Sequence, residues 1–94
     1  MIKSFRDRDS QRVFLRERVR KFSPELQRVA QRKLVVIEGA ESLEDLRVPP
    51  GNRLERLKDG RLGQYSIRVN QQWRICFRWK DGDAFDVEIT DYHG

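Results

Sequence analysis

The sequence holds a single histidine, and it stands in the run Asp91-Tyr92-His93. Histidine titrates near neutral pH, which suits it to donate a proton to a departing alkoxide. Three arginines, Arg68, Arg74 and Arg78, fall on one parity of two neighbouring alternating stretches, and Lys58 sits where the preceding strand ends. Guanidinium groups grip phosphate through paired hydrogen bonds and offset charge that builds up on it. A phosphodiester held by such cations and released by one titratable ring needs only a nucleophile, and RNA carries its own in the 2′-OH. Residue types alone leave a second description open. The arginines would then simply pair with Asp86 and Glu88, and the histidine would belong to a tail.

Other chemistries lack their residues. The chain has no glycine-rich phosphate loop and no HExxH or CxxC spacing. Asp86 and Glu88, two apart on a strand, make a weak divalent-metal pair because nearby arginines compete for them. A metal-free reaction without a cofactor is therefore expected. Cys76 is the single cysteine, so it forms no internal disulfide and no Cys-rich zinc site. A small filler residue describes it better than a nucleophile.

The elements that position these groups follow from periodicity. Gln64–Asn70 and Trp73–Trp79 alternate strictly, with Tyr65, Ile67, Val69, Trp73, Ile75, Phe77 and Trp79 on one parity. The opposite parity carries Gln64, Ser66, Arg68, Arg74, Cys76 and Arg78, an open, polar and cationic face. Val69–Trp73 makes a tight hairpin, and Asp81-Gly82 is the turn into a last strand in which Phe85, Val87 and Ile89 alternate with Asp86, Glu88 and Thr90. Arg53–Leu57 reads as a further strand, with a loop at Asp59-Gly60 and Gly63. Upstream, Pro49-Pro50-Gly51-Asn52 is a firm stop, and Ser42–Leu46 fits one short helical turn.

The N-terminal half reads as helices. Leu15, Val19 and Phe22 lie on one stripe of a helix over residues 10–22, capped by Asp9 or Ser10. Ser23-Pro24-Glu25 restarts a helix over 24–38 with Leu26, Ala30, Leu34 and Ile37 as its apolar stripe, widened by Val29 and Val36. Gly39 offers a left-handed closing residue, and Ile2–Phe5 fits a short edge strand. The expected architecture is α+β: an antiparallel sheet with an N-terminal helical hairpin packed on one face.

Length and charge bound the rest. Ninety-four residues suffice for one domain, 1–94, with one modest core. The net charge of +5 favours polyanionic partners, nucleic acid first. No apolar run spans a bilayer and the N-terminus lacks the apolar region of a secretory signal, so a cytoplasmic protein without a membrane partner is expected.

Several strings in order resemble one family over essentially the whole chain. They are Met1-Ile2-Lys3-Ser4-Phe5, Asn52-Arg53-Leu54-Glu55-Arg56-Leu57-Lys58, Tyr65-Ser66-Ile67-Arg68-Val69, Trp73-Arg74-Ile75-Cys76-Phe77 and Val87-Glu88-Ile89-Thr90-Asp91-Tyr92-His93. Together they resemble the HigB toxins of the RelE superfamily, closest to the GraT-like branch. The resemblance implies the toxin of a type II toxin–antitoxin pair, a ribosome-dependent endoribonuclease that cuts mRNA and stops translation. It also implies a HigA-type helix-turn-helix antitoxin as partner, with operator DNA reached only through that complex. By position, the family's active-site lysine and arginine fall on Lys58 and Arg74, and its C-terminal aspartate, tyrosine and histidine on Asp91, Tyr92 and His93. Where some members have a histidine, this chain has Glu55, so Glu55, Asp91 or a ribosomal group is left to act as base. Arg53, Arg68 and Arg78 are expected to bind the surrounding RNA, and Arg12, Arg16, Arg28 and Arg32 to dock on ribosomal RNA. The competing function is a basic adaptor that binds RNA or the ribosome without cutting it.

Overall fold

The computed structural model describes residues 1–58 and 63–91. Its order is α1 (Arg8–Phe14), α2 (Pro24–Gly39), two 3-10 turns (Leu43–Arg47 and Pro50–Asn52), then β1 (Glu55–Arg56), β2 (Gln64–Arg68), β3 (Trp73–Lys80) and β4 (Asp83–Asp91). The strands form an antiparallel sheet in the order β1-β2-β3-β4. Both helices pack on one face. Val13, Phe22, Leu26, Ala30, Leu34 and Ile37 join Ile67, Val69, Ile75, Phe77, Val87 and Ile89 in a single core cluster. The α+β arrangement expected from periodicity is the one found.

α1 departs from expectation at both ends. Asp7 is its cap, accepting from Ser10 N at 2.6 Å. Ser10 is instead buried, and its hydroxyl accepts from Ile89 N on β4 at 2.9 Å. The helix stops at Phe14 rather than running to Phe22, because Arg16 takes a left-handed φ of 66°. Leu15 is consequently 56% exposed, not part of the apolar stripe, whereas Val19 and Phe22 reach the core from irregular chain. Gln27 on α2 holds that chain: its amide donates to Glu17 O at 2.6 Å and its carbonyl oxygen accepts from Val19 N at 2.9 Å. Such backbone groups, satisfied by a side chain from another element, give the helix an alternative it takes.

α2 follows its sequence signals. Ser23 caps it by accepting from Leu26 N at 3.1 Å, Pro24 opens it, and the predicted stripe is buried. Gly39 ends it inside the helix and is not left-handed; Ala40 follows in extended conformation. Ile2 and Phe5 form isolated parallel bridges to Ala84 and Val87, so the N-terminal segment lines the outer edge of β4 as two bridges rather than a full strand.

The two hairpins hold. Asn70 Oδ1 accepts from Gln72 N and Trp73 N, both at 2.8 Å, closing the first turn with a side chain. Asp81 and Gly82 both have positive φ, 52° and 81°, as the tight turn between twisted strands requires. β1 is only two residues long, shorter than the expected Arg53–Leu57, because Arg53 is itself left-handed at φ 46° and caps the second 3-10 turn. The loop expected at Asp59-Gly60 lies outside the described residues.

One irregularity reshapes the polar face. Between the Cys76–Glu88 and Arg78–Phe85 pairs, β3 has one residue and β4 has two, a bulge with Asp86 at φ 53°. The extra residue inverts the alternation. Ala84 takes the core position, and Phe85 stands opposite Arg78 on the polar face instead of sharing the core with Val87 and Ile89.

Candidate functional site: a buried arginine on the polar sheet face

Arg74 occupies the middle of this face and is 8% exposed. Its Nε donates to Ser66 Oγ at 2.8 Å, and its Nη2 donates to Arg53 O at 2.6 Å and to Ser66 O at 3.3 Å. Glu55 Oε2 lies 3.9 Å from the same Nη2. A cation removed from water needs such acceptors. All of these bonds use Nε and Nη2; Nη1 takes part in none of them. The face is thus less open than alternation suggests, for Ser66 and Cys76 are buried along with Arg74. Small side chains at the centre of a four-stranded sheet are shielded by longer neighbours.

Arg53 presents its carbonyl to Arg74 because of its left-handed backbone, and the residue before it anchors the turn. Asn52 is fully buried; its amide donates to Leu46 O at 3.2 Å and Val48 O at 3.3 Å, and its Oδ1 accepts from Lys33 Nζ on α2. Burial, with Arg32 alongside, pushes the Lys33 ammonium below its ordinary pKa. The sequence reads Asn52 only as part of the stop and of a family string, and Lys33 as part of the solvated outer face of its helix; their contact is not expected from it. A buried asparagine directly after Pro-Pro-Gly is the one local sign available.

The other predicted residues fall as follows. Arg68 pairs in register with Arg74, and its Nε donates to Asn70 O at 3.1 Å. Arg78 reaches Asp86 at 3.6 Å, while Glu88 is engaged by Arg6 at 3.1 Å. The carboxylate within ion-pair distance of Arg74 is Glu55. Lys58 is exposed, two residues beyond β1. Asp91 pairs with Trp73, whose ring packs edge-on against Phe22 at 5.3 Å. Cross-strand partners share a face, so Asp91 belongs with the helix side of the sheet rather than with Arg74. It accepts from Gln72 Nε2 at 2.9 Å. Tyr92 and His93 lie outside the described residues. Among the described residues, no three His, Cys, Asp or Glu side chains gather where they would share a metal ion.

Known proteins supply the family. A model described as the RelE-like toxin of type II toxin–antitoxin system HigB matches residues 3–93. The chain belongs to the HigB-like toxin family. Among its HigB relatives, Toxin HigB-1 of Vibrio cholerae serotype O1 is 44% identical over 61 residues, 65% of this chain and 64% of that protein. Endoribonuclease HigB of Proteus vulgaris is 44% identical over 41 residues, 44% of this chain and 45% of that protein. The matched stretch therefore spans less than two thirds of either relative's length. The fold is shared with the YoeB–YefM complex from Staphylococcus aureus, whose matching chain is covered to 99% by the whole of this one at a TM-score of 0.62 and 15% identity. Membership in the HigB-like family agrees with the resemblance read from the sequence strings. No described helix is long and apolar enough to cross a membrane.

Proposed function

We propose that this HigB-like chain is an endoribonuclease toxin that cuts mRNA on the ribosome by attack of the RNA's own 2′-OH, without a metal. The observation that carries this reading is the pairing of Arg68 directly opposite Arg74 on the polar face. Like charges facing each other across two strands are unfavourable unless an anion lies between them, and the phosphate backbone of a bound RNA supplies such anions. Endoribonuclease activity in the Proteus vulgaris relative supports the same reaction class.

In this mechanism Lys58 and Arg74 hold the phosphate and offset the charge of the transition state, the kind of stabilisation that often contributes most to catalysis. Glu55 stands beside Arg74 and is exposed enough to meet substrate, which favours it over Asp91 as base. Glu55 takes the 2′-OH proton as the 2′-oxygen bonds to phosphorus. The P–O5′ bond breaks, and His93 protonates the leaving oxygen while Tyr92 stacks on a base or orients the ring. Products are a 2′,3′-cyclic phosphate and a 5′-hydroxyl. Arg53, Arg68 and Arg78 bind the flanking RNA, and a HigA-type antitoxin neutralises the toxin in the cytoplasm.

The test is controlled expression in cells with mapping of 5′-hydroxyl ends on transcripts, with translation running or blocked. New ends that need translation are expected. Arg74→Ala and His93→Ala should each lower cleavage by about 10²–10⁴-fold at equal protein level. Ribosome binding and growth arrest without any new ends would favour the adaptor instead, a reading helped by how far Arg74 is taken up by internal bonds.

A further inference from the structure

The β4 bulge leaves a feature that neither the core nor the proposed catalytic groups use. Phe85 is half-buried on the polar face, outside the core cluster, opposite Arg78. It lines a cleft of about 500 Å³ together with Gly63, Arg78, Trp79, Lys80 and Asp86. Arg78 and Asp86 stand 3.6 Å apart there, both substantially exposed, so a donor and an acceptor are presented side by side. Asp86 reaches this position only by adopting a left-handed backbone, held by Ser4 Oγ accepting from its N–H at 2.9 Å. Non-glycine residues in that conformation concentrate where geometry serves a site.

An aromatic ring flanked by cations and a mixed-charge edge is the recognition chemistry of an unpaired nucleobase: stacking on the ring and hydrogen bonds to the base edge. The cleft shares its strand and face with Arg74. Residues 74 and 78 are four apart on β3, a separation of about 13 Å at ~3.3 Å per residue. A single strand whose phosphate sits at Arg74 can therefore run along β3 and reach the cleft. Resting on the proposed ribonuclease reading, we propose that this cleft is a specificity subsite that takes a purine of the bound RNA, stacked on Phe85 and read by Arg78 and Asp86. Purines offer the larger stacking surface, and guanine places acceptors and donors on adjoining edges as this ion pair requires.

The experiment uses the full chain, isotope-labelled, with short 2′-O-methyl oligoribonucleotides that cannot be cleaved. Purine oligomers are expected to shift the amides of Gly63, Arg78 and Phe85 together with Arg74 Nε, and pyrimidine oligomers to shift Arg74 Nε with a smaller effect in the cleft. Phe85→Leu keeps apolar bulk without the ring and should weaken purine binding by about tenfold. Arg78→Gln, which leaves the ring in place, should narrow the difference between purine and pyrimidine. Shifts at Arg74 with none in the cleft, or wild-type purine affinity in Phe85→Leu, overturn the subsite. If the cleft responds as expected but expression in cells yields no new 5′-hydroxyl ends, the ribonuclease reading fails and base binding stands.

Discussion

At the scale of single residues, Arg74 joins two demands that usually separate. It is a structural strut, bonded to Ser66 and to the carbonyl of Arg53, and it also lies 3.9 Å from the Glu55 carboxylate. A lysine cannot reproduce a planar fork of donors. Arg74→Lys is expected to destabilise the fold by about 1–3 kcal/mol through unsatisfied acceptors, seen as a lower urea midpoint with unchanged slope. Lys33 sits one link further out. Its lowered pKa means the unfolded chain holds the proton more tightly, so this residue's contribution to stability improves as pH climbs toward the ordinary lysine value. Lys33→Met should remove that upward slope when urea unfolding is compared between neutral pH and about pH 10. A slope unchanged by the substitution would show that another group titrates.

At the scale of elements, the decisive events are interruptions. α1 ends at a left-handed Arg16, and the chain that follows depends on Gln27. Gln27→Ala should release Glu17 O and Val19 N, cost about 1–3 kcal/mol, and raise hydrogen exchange at Val19 before it rises in the sheet. Arg16→Gly should stabilise by roughly 1 kcal/mol, since glycine adopts that φ without a Cβ clash. Calorimetry on the pair would show opposite shifts in Tm. Both interruptions were hidden from periodicity. Leu15, Val19 and Phe22 do recur at helical spacing, but the backbone groups that would make the helix are bound by a side chain from α2.

Across the whole molecule, charge is divided unevenly. Residues 1–39 carry 11 Lys and Arg against 5 Asp and Glu, while residues 40–94 carry 9 against 10. The excess that makes the protein basic thus belongs to the helical half, not to the sheet face that holds Arg74. Arg16, Arg18, Arg28 and Arg32 line one open groove there. Arg12 is less available, because it bonds Glu17 and the Arg18 carbonyl. Replacing Arg16, Arg28 and Arg32 with glutamate should weaken ribosome binding and flatten its salt dependence, each lost phosphate contact lowering the log–log slope by roughly one. Cleavage of ribosome-bound mRNA at saturating toxin concentration should change little.

Read by itself, the sequence determined the elements whose signals are local: α2 with its Ser23 cap, two hairpins with their turn residues, the core parity of β2 and β3, and the cationic character of the opposite parity. The strings that resemble HigB toxins gave the family, which the matching family model bears out. Tertiary structure alone decided where Ser10 and Phe85 point, how Arg74 is held, and that Asp91 pairs on the helix side. The physical reason is common to all four. Each depends on a hydrogen bond or a register with a partner on another element (Ile89, Arg78, Arg53 and Trp73), which the periodicity of a single element does not reveal.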